Sequence, residues 1–160
     1  DYNRPVRVAA AVGTMKHTVF RHPLGLGRST SSRDGTPVAP LMGGFTRYDG
    51  GETGMHLGSF SIVGAYNDHA VLFQFTPRGV EDTDVVITWL VDENADLEAI
   101  DRDALTLLWD VTTVQDKQII EANAAGVRQR AYRPGPYTLL ESQTADFVAN
   151  YLDMMRQLAA

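Results

Sequence analysis

The chain has 160 residues, enough for one domain or a large part of one. Its net charge of −6 lacks the basic excess of a nucleic-acid surface. The absence of cysteine excludes a disulfide scaffold, a thiolate zinc site and any cysteine-held iron–sulfur cluster within the chain. No apolar run approaches the roughly 18 residues of a membrane span and no signal-peptide pattern opens the sequence, so no membrane partner and a cytoplasmic location are expected.

Taken in order, residues 1–12 begin polar and turn small and apolar from Val6, which suggests a strand or a truncated element, broken by Gly13. Met15 to Phe20 is expected as a short strand stopped by the Arg21-His22-Pro23 corner. Residues 23–44 are rich in Gly, Pro and Ser, with Arg33-Asp34-Gly35-Thr36 as a tight turn. So long an irregular excursion is usually a functional lid or a poorly ordered segment. Phe45 to Tyr48 reads as a short strand turned by Asp49-Gly50-Gly51. Leu57 to Tyr66 and His69 to Thr76 read as strands around an Asn67-Asp68 hairpin turn. Thr83 to Val91, β-branched and aromatic, is a third strand. Together these three form an antiparallel meander.

The acidic connector Asp92 to Asp101 leads to a helix from Arg102 to about Ala125, with Gly126 at its C′ position. Pro134-Gly135-Pro136 cannot be helical. Thr138-Leu-Leu-Glu141 is a capping box for a last helix, striped by Leu140, Phe147, Tyr151, Met154 and Leu158. Strands first and long helices last define an α+β domain.

The most informative stretch is the long helix. At about 100° per residue, Leu105, Leu108, Trp109, Thr112, Asp116, Ile119 and Asn123 fall in one line. The other charges, Asp103, Asp110, Lys117 and Glu121, cluster on the opposite side. A carboxylate on an apolar face needs a partner, either a cation or a metal. Periodicity alone leaves Asp116 open between a metal ligand or catalytic carboxylate and a core acid paired to an arginine or to backbone donors. Trp109 and Thr112 share its face, as pocket wall or as core. His56 and His69 flank the first hairpin strand. For His69 an exposed or hydrogen-bonded role is expected.

An ordered set of motifs surrounds that helix: Trp109-Asp110-Val-Thr-Thr, Gln115-Asp116-Lys-x-Ile-Ile-Glu121, Asn123-x-x-Gly126-Val127 and Tyr132-x-Pro-Gly-Pro-Tyr137-x-x-x-Glu141. Tyr66-Asn-Asp-His69, Phe75-Thr-Pro-Arg-Gly79 and Trp89-Leu-Val91 precede it. Over roughly residues 35–155 this order resembles the C-terminal part of the catalytic α subunit of Rieske non-haem iron oxygenases, the aromatic ring-hydroxylating type. The resemblance implies a helix-grip (START/Bet v 1-like) fold, an antiparallel sheet packed on a long C-terminal helix. The chain, residues 1–160, would be the C-terminal portion of one catalytic domain, with the Rieske domain absent.

What the resemblance implies chemically is mononuclear Fe(II) on a 2-His-1-carboxylate triad, with Asp116 as the carboxylate and Trp109 and Thr112 near the substrate. Dioxygen would hydroxylate or oxidatively demethylate a small organic substrate, aromatic or a quaternary or methylated amine. The [2Fe–2S] cluster is expected only in the missing Rieske domain, fed by a reductase or ferredoxin. The full-length protein would be a homotrimer, and this chain alone inactive. The family places the triad histidines in an H-x-x-x-x-H motif. His17 and His22 have that spacing. The alternative is that the pair lies upstream of Asp1. A reading from another class keeps the fold without the iron, as a non-enzymatic helix-grip module for an apolar ligand, with Asp116 paired to Arg128 or Arg130.

Overall fold

Short segments of alternating polar and apolar residues, several closed by glycine, build a single antiparallel sheet. The computed structural model describes residues 6–12 and 15–159. Six strands follow as a meander in chain order: β1 (Val6–Val12), β2 (Met15–Pro23), β3 (Gly51–Leu57), β4 (Ser61–Ala65), β5 (Ala70–Pro77) and β6 (Thr83–Leu90). Helix α1 (Arg102–Val127) follows, then a 3-10 turn (Leu139–Glu141) leading into α2 (Ser142–Leu158). The order is that of an α+β protein, as expected. The chain divides into two compact units, Asp1–Leu105 with the sheet and Thr106–Ala160 with most of α1 and all of α2.

Register sorts the sheet into two faces, because neighbouring residues of a strand point opposite ways. Thr18 pairs with His56, which pairs with Ile62, then Phe73 and Ile87. The next row on that face runs Phe20, Gly54, Gly64, Val71 and Trp89. The third begins with His22 and Glu52. Glycine is required in the middle row, since a Cβ at Gly54 would lie 2.2 Å from the Phe20 ring. A Cβ at Gly64 would crowd the Glu52 carboxylate and the Tyr66 hydroxyl, each at 3.2 Å.

Four features differ from the sequence reading. β2 does not stop at Arg21 but continues through His22 to Pro23, which pairs with Gly51. Proline is tolerated there because the ladder ends one residue later, with Leu24 N–H donating to the Gly50 carbonyl at 2.8 Å. β3 is not legible in the sequence: Gly50 makes the turn at φ +66°, Gly51 already belongs to the strand, and Leu57 ends it, so the strand expected from Leu57 to Tyr66 is broken by a turn with Gly58 at φ +65° and runs only from Ser61 to Ala65. Phe45 to Tyr48 is not a strand. It stays irregular and mostly exposed, with the Tyr48 hydroxyl donating to the Ala39 carbonyl at 3.2 Å within the same excursion. Gly126 sits inside the last turn of α1 without positive φ, and the helix ends at Val127. The expected break at Gly13 lies outside the described residues.

The helix starts follow the sequence closely. Asp101 caps α1, its carboxylate accepting from Ala104 N–H at 3.1 Å. Glu141 reaches back to Thr138 N–H at 2.8 Å in the expected capping box, here opening the 3-10 turn rather than α2 itself. Along the α2 stripe Phe147 stacks on Tyr151 with centroids 6.2 Å apart, and Met154 is half-buried. Leu140 and Leu158 are exposed.

Candidate functional site

Hairpin turns normally sit in water, because loop backbone needs hydrogen-bond partners. The β4–β5 turn does not: Tyr66, Asn67, Asp68 and His69 are all buried. The irregular excursion of residues 24–50 supplies what water would. Met42 N–H donates to the Asn67 carbonyl at 2.8 Å, and Asp49 N–H to the Asn67 side chain at 3.0 Å. Val38 N–H donates to Asp68 Oδ2 at 3.1 Å. The excursion is thus neither a lid nor unordered. It is the housing of a buried turn, held at its neck by the Arg21–Asp49 ion pair and by Arg21 bonded to Thr53 Oγ1 at 2.9 Å.

Inside the housing, Thr30 donates its hydroxyl proton to Asp68 Oδ1 at 2.5 Å. His69 Nδ1 lies 2.9 Å from the same oxygen, and both side chains are fully buried. A carboxylate offers only acceptors, so Nδ1 carries its hydrogen toward Asp68. Burial works to raise the Asp68 carboxyl, but the hydrogen bonds from His69, Thr30 and Val38 outweigh it and hold the group below its ordinary value. The result is a charged carboxylate fixing one imidazole in one orientation. His69 was expected to be exposed or hydrogen-bonded; the second holds and the first does not.

From that pair a row of polar groups crosses the sheet. The Tyr66 and His69 rings lie 4.8 Å apart. Burial, the largest cause, pushes the Tyr66 hydroxyl well above its ordinary range; a hydrogen bond with Ser31 works against this, and the charge of Glu52 adds to it. Tyr66 therefore stays a neutral phenol. Glu52 in turn meets His22 Nε2 at 3.0 Å, and His22 stacks on Phe20 with centroids 5.6 Å apart. His56 stands edge-on to the same ring at 5.5 Å.

The residues singled out from the sequence fall elsewhere. Trp109, Thr112 and Asp116 do share a face of α1, and the first two are half-buried. Asp116, expected on a dry face, is exposed, as is Ile119 one turn on. Among the described residues it forms no ion pair, its neighbour Lys117 reaching Glu121 at 3.8 Å instead. The expected arginine partnership is therefore not formed.

His17 and His22 cannot serve one metal. Five residues apart on β2, they point to opposite faces, His17 accepting from Gly58 N–H at 3.2 Å while His22 pairs with Glu52. The motif spacing suits a helix or loop and fails on a strand. Among the described residues no group of three or more His, Cys, Asp or Glu is placed to hold a metal ion. These residues alone do not fit a mononuclear iron. No helix among them is long and apolar enough to cross a membrane.

Thr30, Glu52 and the burial of Thr30 with Asp68 are not directly legible in the sequence. A signal existed, since a turn carrying Asp-His follows a long segment rich in small hydroxyl residues. Residues 17–157 match the family described as "Ring hydroxylating alpha subunit (catalytic domain)". The chain is 37% identical over 151 residues to the glycine betaine monooxygenase oxygenase subunit of Chromohalobacter salexigens, covering 88% of this chain and 32% of that protein. It is 34% identical over 144 residues to the protein of the same name from Pseudomonas aeruginosa PAO1, covering 87% of this chain and again 32% of the relative. It thus spans about a third of the length of the relatives it matches.

Proposed function

Because the chain belongs to the family of ring-hydroxylating α-subunit catalytic domains, we propose that it is the C-terminal portion of the catalytic domain of a Rieske-type oxygenase that demethylates a methylated amine. The observation that carries the substrate class is the aromatic face of the sheet. Register gathers Phe20, Phe73, Phe75 and Trp89 on one face, and Tyr66 adjoins the Glu52 of that face. A quaternary ammonium is attracted to ring faces by their quadrupole, by about 0.5–2 kcal/mol for each contact. The glycine betaine specificity in the relatives' names agrees with it.

The proposal includes the helix-grip arrangement, a homotrimeric full-length protein, and electrons arriving from a reductase or ferredoxin through a [2Fe–2S] cluster outside this chain. Asp116 supplies one carboxylate ligand to mononuclear Fe(II), which when bound provides dioxygen activation. The histidine ligands come from elsewhere in the longer protein. Trp109 and Thr112, on the Asp116 face, border the substrate.

The test uses the full-length protein. Wild type should contain mononuclear iron and release formaldehyde from glycine betaine in the presence of its electron donor. Asp116→Ala should retain the [2Fe–2S] absorption while losing most of the mononuclear iron and at least about a hundredfold in turnover. Normal mononuclear iron in that variant removes Asp116 from the site. Wild type free of mononuclear iron would favour the non-enzymatic binding module instead.

A further inference from the structure

Two ring nitrogens on the aromatic face are buried and have no hydrogen-bond partner: His69 Nε2 and Trp89 Nε1. A buried polar atom without a partner is costly, so two on one face call for an explanation. They are close in the fold. Val71 pairs with Trp89, and His69 stands one residue before β5, where the strand alternation carried back from Val71 puts it on the same side. His69 and Trp89 are therefore diagonal cross-strand neighbours, about 7–8 Å apart at the backbone and within reach of one small group between long side chains.

We propose that His69 and Trp89 form the subsite for a substrate carboxylate. This deepens the methylated-amine reading and rests on it for the rest of the substrate. The indole N–H is a donor only. The imidazole is bonded through Nδ1 to Asp68 and fixed by it, which leaves Nε2 as the ring atom available to a ligand. Nε2 is an acceptor in the neutral ring and becomes a donor when the proton of the acid enters with its carboxylate, with Asp68 2.9 Å from Nδ1 as the counter-charge. With a proton on Nε2, the imidazole and the indole offer two N–H donors on one face, which match the two oxygens of a carboxylate. The aromatic rings of the same face match a trimethylammonium one methylene away, so a betaine fills both halves. His69 positions the substrate and takes no part in bond breaking.

Calorimetric titration of the full-length protein under nitrogen separates the two halves. The probes are glycine betaine, 3,3-dimethylbutyrate (which keeps the carboxylate and replaces the ammonium by carbon) and choline (which keeps the ammonium and lacks the carboxylate). Wild type should bind both carboxylates. His69→Gln and Trp89→Phe should each weaken both by tenfold or more and change choline by less than threefold. In turnover the same variants should raise KM for glycine betaine far more than they lower kcat. If wild type binds dimethylbutyrate and no quaternary amine, the amine reading falls while the carboxylate subsite stands on its loss in the two variants. The subsite is overturned if the variants bind both carboxylates as wild type does, if choline weakens in parallel, or if wild type binds no carboxylate.

Discussion

Asp68 keeps a negative charge where water does not reach, and it does so because Thr30 and His69 converge on one oxygen and Val38 N–H on the other. Removing one partner of a buried pair leaves the rest unsatisfied, at a cost of about 3–5 kcal/mol. Asp68→Ala should lose that much in urea unfolding at pH 7, whereas Asp68→Asn, which keeps an acceptor for Val38, should lose less. The pH dependence follows from the direction of the shift. The folded carboxyl titrates below its ordinary 3.8. Its stabilisation is therefore complete above about pH 3.8 and is lost as pH falls through the lower folded value. Wild type should lose stability more steeply than Asp68→Asn below that pH, and parallel curves would exclude Asp68 as the cause. None of this was legible in sequence, because Asn-Asp-His after a strand reads as a surface turn until the covering segment is known.

At the scale of elements, the strands rich in β-branched and aromatic residues were legible and the glycine-rich ones were not. β5 and β6 announce themselves by composition. β3 carries Gly51 and Gly54, which read as breakers although they serve close packing. Gly54 leaves the room that the Phe20 ring occupies, since a Cβ there would lie 2.2 Å from it. Gly54→Ala should destabilise by about 1–3 kcal/mol through overpacking. In a Phe20→Ala background the same change should cost less than half as much. A double-mutant cycle by chemical denaturation measures the difference, and equal costs in both backgrounds would rule out the ring as the origin. Helix bounds were more legible, since Asp101 and Thr138–Glu141 are local chemical signals that act within a few residues. The H-x-x-x-x-H spacing misled because spacing has meaning only once the element is known: on β2 it separates the imidazoles.

For the whole molecule, the amphipathic pattern of α1 is real while its burial is not seen within these 160 residues. Ile119 and Ile120 are 67% and 65% exposed, and Asp116 on the same side of the helix is exposed as well. Apolar side chains gathered this way on one helix mark a surface meant to be covered. On the proposal that this chain is the C-terminal portion of a catalytic domain, the covering material is the remainder of that domain, and the relatives are about three times as long as this chain. Hydrogen exchange measures this directly. Amides of residues 110–121 should exchange at least tenfold more slowly in the full-length protein than in the 160-residue chain, because opening the helix there would also expose the packed apolar face. The amides of the Tyr66–His69 turn, already enclosed by residues 24–50, should change much less. Equal protection of α1 in both proteins would mean that its apolar side stays wet. In that case Asp116 would remain in water, and its assignment to a dry iron site would fail with it.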